Sequence, residues 1–251
     1  MSAPKETLGR TIGIVVAVCL VCSIVVSTAA VGLREKQQIN QQIDKQTNIL
    51  DAAGLLDDAA GDVQSTYSKY IEERYIELAS GKYVEVTADF DMFKAAKDPE
   101  YQVIPAPDIA SVFRHSKVVN VYHVKDENGA LKRLVLPVYG SGLWGMMYGF
   151  LALDGDGNTV RNLVYYDHKE TPGLGGEVQN PAWKALWNGK LLFKGGEVAI
   201  GLSKTATPDN KYAVDALSGA TLTSNGVENT LKFWLSKQGF GNYLSQQPWK
   251  A

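Results

Sequence analysis

Thr11 to Leu33 is an apolar run without a charged residue, bounded by Arg10 and Arg34. Its length is what an α-helix needs to cross a bilayer. A cleaved secretory signal is the rival reading, because Ser27-Thr28-Ala29 is small enough for a cleavage site. The run exceeds a signal core, and Val21 is a poor residue before a lipid-modified Cys22, so we read a retained anchor. Arg34 to Leu50 is polar and Gln-rich and continues the same helix until Gly54 and Gly61 break the pattern. Tyr67 to Ala79 places Tyr70, Ile71, Tyr75 and Ile76 at intervals that predict a second, amphipathic helix. Lys82 to Ala88 alternates as a strand does, and Asp91 to Lys97 predicts a short helix. Pro99, Pro105 and Pro107 mark a loop.

From Ser116 the pattern becomes β. Strands are predicted over Val118 to Val124, Leu131 to Tyr139, Met147 to Leu153 and Val160 to Tyr166. Glu127-Asn128-Gly129 and Asp154-Gly155-Asp156-Gly157-Asn158 are the turns of this meander. The second turn resembles part of a calcium loop but lacks the closing Glu, so a hairpin turn is the better reading. Pro181 opens a helix with Trp183, Leu186 and Trp187 on one face. Strands follow near Val198 to Leu202 and Tyr212 to Ala216. A last helix carries Val227, Leu231, Trp234 and Leu235, with Asn225 and Glu228 spaced as a capping box, and ends at Gly239. The fold class is α+β: one N-terminal transmembrane helix, then a soluble domain with a largely antiparallel sheet. The expected divisions are 1–10 before the membrane, 11–33 within it, 34–115 as helical connector and first α/β part, and 116–251 as the ligand-bearing domain.

Composition narrows the function. A net charge of -2 and a pI near 6.0 give no reason to expect a nucleic-acid partner. Cys19 and Cys22 are the only cysteines, and both lie in the apolar run. The rest of the chain therefore holds no thiolate-ligated metal and no disulfide. That fits an oxidising compartment. The two cysteines either pack in the bilayer or ligate metal with a neighbouring protein of the same assembly. Lys5 and Arg10 nearly balance Arg34 and Lys36, so charge alone does not orient the helix. The short N-terminus and the large domain after the helix favour an extracytoplasmic domain. Histidine occurs at 115, 123 and 168 only, too few for a His-rich site, and no metal is expected.

Three stretches carry candidate chemistry. Gly140-Ser141-Gly142-Leu143-Trp144-Gly145 formally matches a dinucleotide fingerprint, but β-like residues follow where that motif needs a helix. A tight loop between strands is the better account, its glycines letting backbone approach a ligand. Trp144 is then either a ring against that ligand or a core aromatic. His168-Lys169-Glu170-Thr171-Pro172-Gly173-Leu174-Gly175-Gly176 ends a strand and is too glycine-rich for a core. Its His and Glu could form a metal or acid–base pair, or be structural. Asp215 to Ser224 sets the hydroxyls of Ser218, Thr221 and Thr223 at or just before a helix N-terminus. Free amides and the helix dipole suit a phosphate there, and a threonine hydroxyl beside it could be joined to it as a phosphoester. A plain helix cap is the alternative.

Asp-x-x-Ser-Gly-Ala-Thr-x-Thr resembles the flavinylation motif of proteins that carry FMN in phosphoester linkage to threonine. From the membrane helix through Gly-Leu-Trp-Gly to this motif, the chain resembles the FMN-binding family of the C subunits of Na+-translocating NADH:quinone oxidoreductases. The resemblance implies Thr221 as acceptor, loaded by a separate FAD:protein FMN transferase. Chemistry alone does not separate it from Thr223. It implies that Gly142, Leu143 and Trp144 lie beside the flavin, and that His168, Glu170, Thr171, Gly173, Leu174 and Gly175 close over it. Thr171 and amides near Gly173 and Gly175 would bond the ring's polar edge, and Leu174 would cover its face. Ser218, Gly219, Ala220, Leu222 and Thr223 would flank the attachment. The implied role is an electron relay with no catalytic acid, base or nucleophile in turnover. The implied setting is a multi-subunit complex of the bacterial inner membrane, with this domain periplasmic. That complex oxidises NADH, reduces ubiquinone and pumps Na+, with the NADH and Na+ sites on its other subunits. Two readings stay open: the G subunit of an Rnf-type ferredoxin:NAD oxidoreductase or a free-standing FMN domain, and a membrane-tethered module without cofactor.

Overall fold

The computed structural model describes residues 7–250. Lys5 and most of the 1–10 segment lie outside the described residues. Helix α1 (Leu8–Ala53) is continuous for 46 residues, so the apolar run and its polar extension are one helix. It is the one described helix long and apolar enough to cross a membrane, with mean hydropathy 2.8 in its most apolar stretch. Leu20, Ile24 and Val25 there are exposed, as are Cys19 and Cys22. The chain divides into two compact units between Lys45 and Gln46.

The second unit begins with the last turns of α1, where Ile49, Leu50, Ala52 and Ala53 are buried. The helix stops where Gly54 turns to φ +65°. Arg133 donates to the carbonyl of Ala53, and Lys184 pairs with Asp51 at 2.8 Å. Then come α2 (Val63–Tyr70), β1 (Ile71–Glu77), β2 (Lys82–Tyr83), α3 (Met92–Ala95), β3 (Gln102–Val103) and β4 (His115–Ser116). The meander follows as β5 (Val118–Lys125), β6 (Leu131–Ser141), β7 (Met146–Asp154) and β8 (Val160–Asp167). Next are α4 (Pro181–Ala185), β9 (Phe193–Lys194), β10 (Glu197–Val198), β11 (Gly201–Ser203) and β12 (Ala213–Asp215). The chain ends with α5 (Thr221–Leu235) and α6 (Gly241–Gln246).

One six-stranded antiparallel sheet, ordered β2-β1-β5-β6-β7-β8, centres the unit. Side chains alternate across it. Leu134, Leu136, Leu151 and Leu153 enter a core with Val227, Leu231 and Trp234 of α5. Val135, Phe150, Ala152 and Val164 enter a second core with Ile49 and Leu50 of α1. Both faces are covered, which is why the central strands read as nearly continuous apolar runs. The sheet draws strands from both sides of position 115.

The structure departs from five of the expected elements. The strand near Val198 to Leu202 is two, Glu197–Val198 paired antiparallel with β9 and Gly201–Ser203 paired parallel with β12. Ile71–Glu77 is a strand paired with Val118–Val124, not part of a helix, and the preceding helix ends at Tyr70. Ile71 joins one core and Ile76 the other, so their spacing reflects two covered faces rather than a helical stripe. The strand from Lys82 is only Lys82–Tyr83, prolonged by the bond from Val84 N–H to the Tyr75 carbonyl at 3.0 Å. Helix α4 ends at Ala185, so only Trp183 of the three lies on it; Trp183 and Trp187 are buried, but Leu186 is exposed. The last long helix starts at Thr221, with no capping box, and stops at Leu235, where Ser236 turns extended (ψ 177°). The Asp154 to Asn158 segment is a turn, as expected, organised by Asp156, whose carboxylate accepts the Asn158 and Thr159 amides at 2.9 Å. Among the described residues no His, Cys, Asp or Glu cluster could hold a metal.

Candidate functional site

The hairpin joining β6 and β7 closes with Ser141 opposite Met146 and Gly142 N–H on the Gly145 carbonyl at 2.8 Å. No helix follows, so the dinucleotide reading fails on structure. Trp144 at its tip is 64% exposed, which excludes a core role, and Leu143 beside it is exposed.

The second loop leaves β8 at Asp167. Leu174 and Gly176 both donate their amides to the Thr171 carbonyl, at 3.1 and 2.9 Å, around Gly173 at φ +75°. A 3-10 turn over Gly175–Gln179 follows. Thr171, Gly173 and Leu174 face solvent, while Gly175 is buried. His168 accepts the Glu170 amide on Nδ1 at 3.1 Å, which gives it a loop-holding contact.

The third segment runs from β12 into α5. Ser224 replaces the expected cap: its hydroxyl accepts the Leu217 amide and donates to the Ala220 carbonyl, both at 3.0 Å. Glu228 instead accepts the Leu202 amide at 2.8 Å and so ties β11 to α5. Gly219 stands at φ +71°, and a Cβ on it would lie 3.2 Å from Leu174 Cδ2. Ser218, Gly219, Thr221 and Leu222 are exposed. Ala220 and Thr223 are buried, Thr223 at 1% exposure.

These three segments meet at Glu170, itself 5% exposed. Its Oε1 accepts the Trp144 amide at 2.9 Å, and its Oε2 accepts the Thr223 hydroxyl. Glycines clear the space: a Cβ on Gly142 would stand 2.6 Å from Glu170 Oε1, and one on Gly175 would stand 2.5 Å from Thr223 Oγ1. The result is a cradle of exposed apolar side chains and glycines at the start of a long helix. Amides of a helix's first turn have no partner within the helix. This arrangement suits a flat ring carrying a phosphate. Glu170 as the junction was not visible in sequence, because its partners lie 26 and 53 positions away.

A separate cavity of about 700 Å³ is walled by Phe93, Phe113, Arg114, Tyr139, Tyr148 and Tyr166. It is formed by none of the predicted site residues. Tyr139 and Tyr148 stack at 5.8 Å there, and burial pushes both phenols' pKa up.

The class follows from a family comparison: residues 142–236, which run from the tip of the first hairpin through the other two segments, match the family described as FMN-binding domain. The whole chain narrows it. It is 49% identical over 249 residues to the C subunit of the Na(+)-translocating NADH-quinone reductase of Yersinia pestis, covering 96% of this chain and 94% of that protein. The Haemophilus ducreyi protein of the same description is 48% identical over 245 residues, covering 96% and 95%. The crystal structure of Shewanella oneidensis NqrC superposes with a TM-score of 0.78 at 35% identity, over 83% of this chain and 98% of that one. A second structure, the C subunit of the same reductase from Parabacteroides distasonis, gives 0.67 at 26% identity over 85% and 97%. The chain belongs to the NqrC family, the C subunits of the Na+-translocating NADH-quinone reductases.

Proposed function

We propose that this chain is the electron-carrier subunit of such a complex, holding FMN through a phosphoester bond to Thr221. The observation that carries the attachment is the contrast between two threonines. Thr221 is exposed in the first turn of α5, whereas Thr223 is buried and gives its hydroxyl to Glu170. The helix dipole and the first-turn amides support a phosphate at Thr221. Bound FMN would supply one-electron transfer between neighbouring redox centres. The chain's own residues bind, orient and shield. Trp144, Leu143 and Leu174, exposed as they stand, give apolar surface to a ring and exclude water from it. The Thr171 hydroxyl and the amides of Gly173 and Gly175 would donate to its polar edge, the Leu174 and Gly176 amides being held by the Thr171 carbonyl, and such bonds tune a flavin's potential. Gly142, Ser218, Gly219, Ala220 and Leu222 shape the approach. His168 and Glu170 hold the loops.

The partners are the other subunits of the complex, which carry the NADH and Na+ sites, and an FAD:protein FMN transferase during maturation. The long apolar helix supports a membrane location; the short N-terminus, the large domain after the helix and the family resemblance are the reasons to put it in the bacterial inner membrane, N-terminus inward and domain periplasmic. A covalent bond keeps an extracytoplasmic flavin from diffusing away. Similarity to NqrC-family proteins along nearly the whole chain, at 48–49% identity, favours this reading over the G subunit of an Rnf complex.

The test is in-gel flavin fluorescence of the denatured full chain, made together with the transferase, beside Thr221→Ala. A fluorescent parent and a dark variant are expected. A dark parent would sink the flavoprotein reading in favour of a cofactor-free module. A variant as bright as the parent would move the attachment elsewhere.

A further inference from the structure

Thr223 has the chemistry of an acceptor and lies two residues from Thr221, so something must keep it silent. The structure points to its hydrogen-bond partner. Glu170 is buried, and among the described residues no ion pair includes it. Its two oxygens are held by one amide and one hydroxyl, from Trp144 and Thr223. A bond to a carboxylate is about twice as strong as one between neutral groups. The glycines at 142 and 175 leave room for this junction and for nothing bulkier. Gly226, one turn into α5, lets the helix rest on the hairpin: a Cβ there would stand 2.4 Å from the Ser141 carbonyl oxygen. The first turn of α5 is thus pinned with Thr223 inward and Thr221 outward.

We propose that Glu170 is a positioning residue that selects the flavin acceptor: it holds the Thr223 hydroxyl inside the fold and leaves Thr221 the reachable one. This rests on the attachment proposed above. In that step the threonine oxygen bonds to the FMN-side phosphorus of FAD. The pyrophosphate P–O bond breaks, AMP leaves with that oxygen, and the hydroxyl proton is released, with no change of oxidation state. A hydroxyl already donating to a buried carboxylate cannot take part until that bond opens. Losing a charge-assisted bond should raise the outward population of Thr223 by about 10- to 100-fold.

The test loads four full-length chains with transferase and FAD and maps the flavin by peptide mass: parent, Thr221→Ala, Glu170→Ala/Thr221→Ala and Glu170→Gln/Thr221→Ala. Circular dichroism checks that each is folded. The parent should carry flavin on Thr221, and Thr221→Ala should carry none. The Glu170→Ala double variant should carry flavin on Thr223 at least about tenfold above the detection limit, where Thr221→Ala stays dark. The Gln variant keeps the volume of the side chain and a partner for Trp144, so it stays folded if the Ala variant does not. It should show a smaller gain, about fivefold, from the lost charge. Flavin on Thr223 in Thr221→Ala alone would overturn the proposal, as would folded double variants that stay dark at Thr223. A parent without flavin would instead remove the attachment reading on which it rests.

Discussion

Gly226 offers a case where two known effects oppose and the structure decides between them. It lies inside α5, where replacing Gly by Ala gains about 1 kcal/mol of helix propensity. Propensity alone therefore predicts a stabilised Gly226→Ala. The new Cβ, however, would stand 2.4 Å from the Ser141 carbonyl oxygen and 3.1 Å from Gly142 Cα. Both atoms are backbone and no rotamer change can move them. Reaching ordinary van der Waals separation requires the helix and hairpin to part by about 1 Å. Overpacking of this kind costs about 1–3 kcal/mol, and rigid backbone on both sides puts this case at the upper end. The net expectation is a loss of about 1–2 kcal/mol, or a fall in Tm of about 2–8 °C for a unit of this size. Asn225→Ala is the control, since Asn225 is exposed on the same turn and gains propensity with no such contact. Thermal unfolding of the full chain in detergent, followed by far-ultraviolet circular dichroism, measures both. If Gly226→Ala melts at or above the parent, the close packing of α5 on the hairpin is wrong, and the pinned first turn loses its support.

Two further predictions concern the cores. Leu50→Ala, at a fully buried site of the sheet-facing end of α1, should cost about 2–5 kcal/mol, while Leu20→Ala in the exposed apolar stretch should leave the melt of the domain unchanged; equal effects would mean that the end of α1 is not part of that core. His123 is pushed down to about 4, chiefly by burial and then by Arg74 and Lys125, with Glu72 opposing, and its Nε2 contacts the Tyr243 and Tyr83 hydroxyls at 2.9 and 3.2 Å. The unfolded state, with an ordinary histidine near 6.5, binds the proton first as pH falls, so stability drops between roughly pH 6.5 and 4, by about 3 kcal/mol in total. His123→Gln should remove that part of the acid dependence, and denaturation curves of parent and variant that stay parallel from pH 7 to 4 would refute it.

Local features were legible in sequence because their causes are local. The charge-free span of α1, the Asp-Gly and Asn-Gly turns, the alternating strands of the meander and the rejection of a dinucleotide motif all rest on residues close in the chain. So did the gathering of hydroxyls near the start of α5, and the resemblance that named a flavin motif there. Other features were decided by contacts that no local pattern records. Ile71 and Ile76 look helical until β5 and β2 supply hydrogen bonds on either side and two cores receive the two side chains. The start of α5 moved from Asn225 to Thr221 because Ser224 satisfies the turn from within the helix, while Glu228 is engaged by β11. Trp144 could be core or surface until the hairpin set its exposure. The two threonines of the motif are chemically alike, and only burial separates them. That burial depends on a carboxylate brought to Thr223 from 53 residues away, by a sheet whose register neither residue determines.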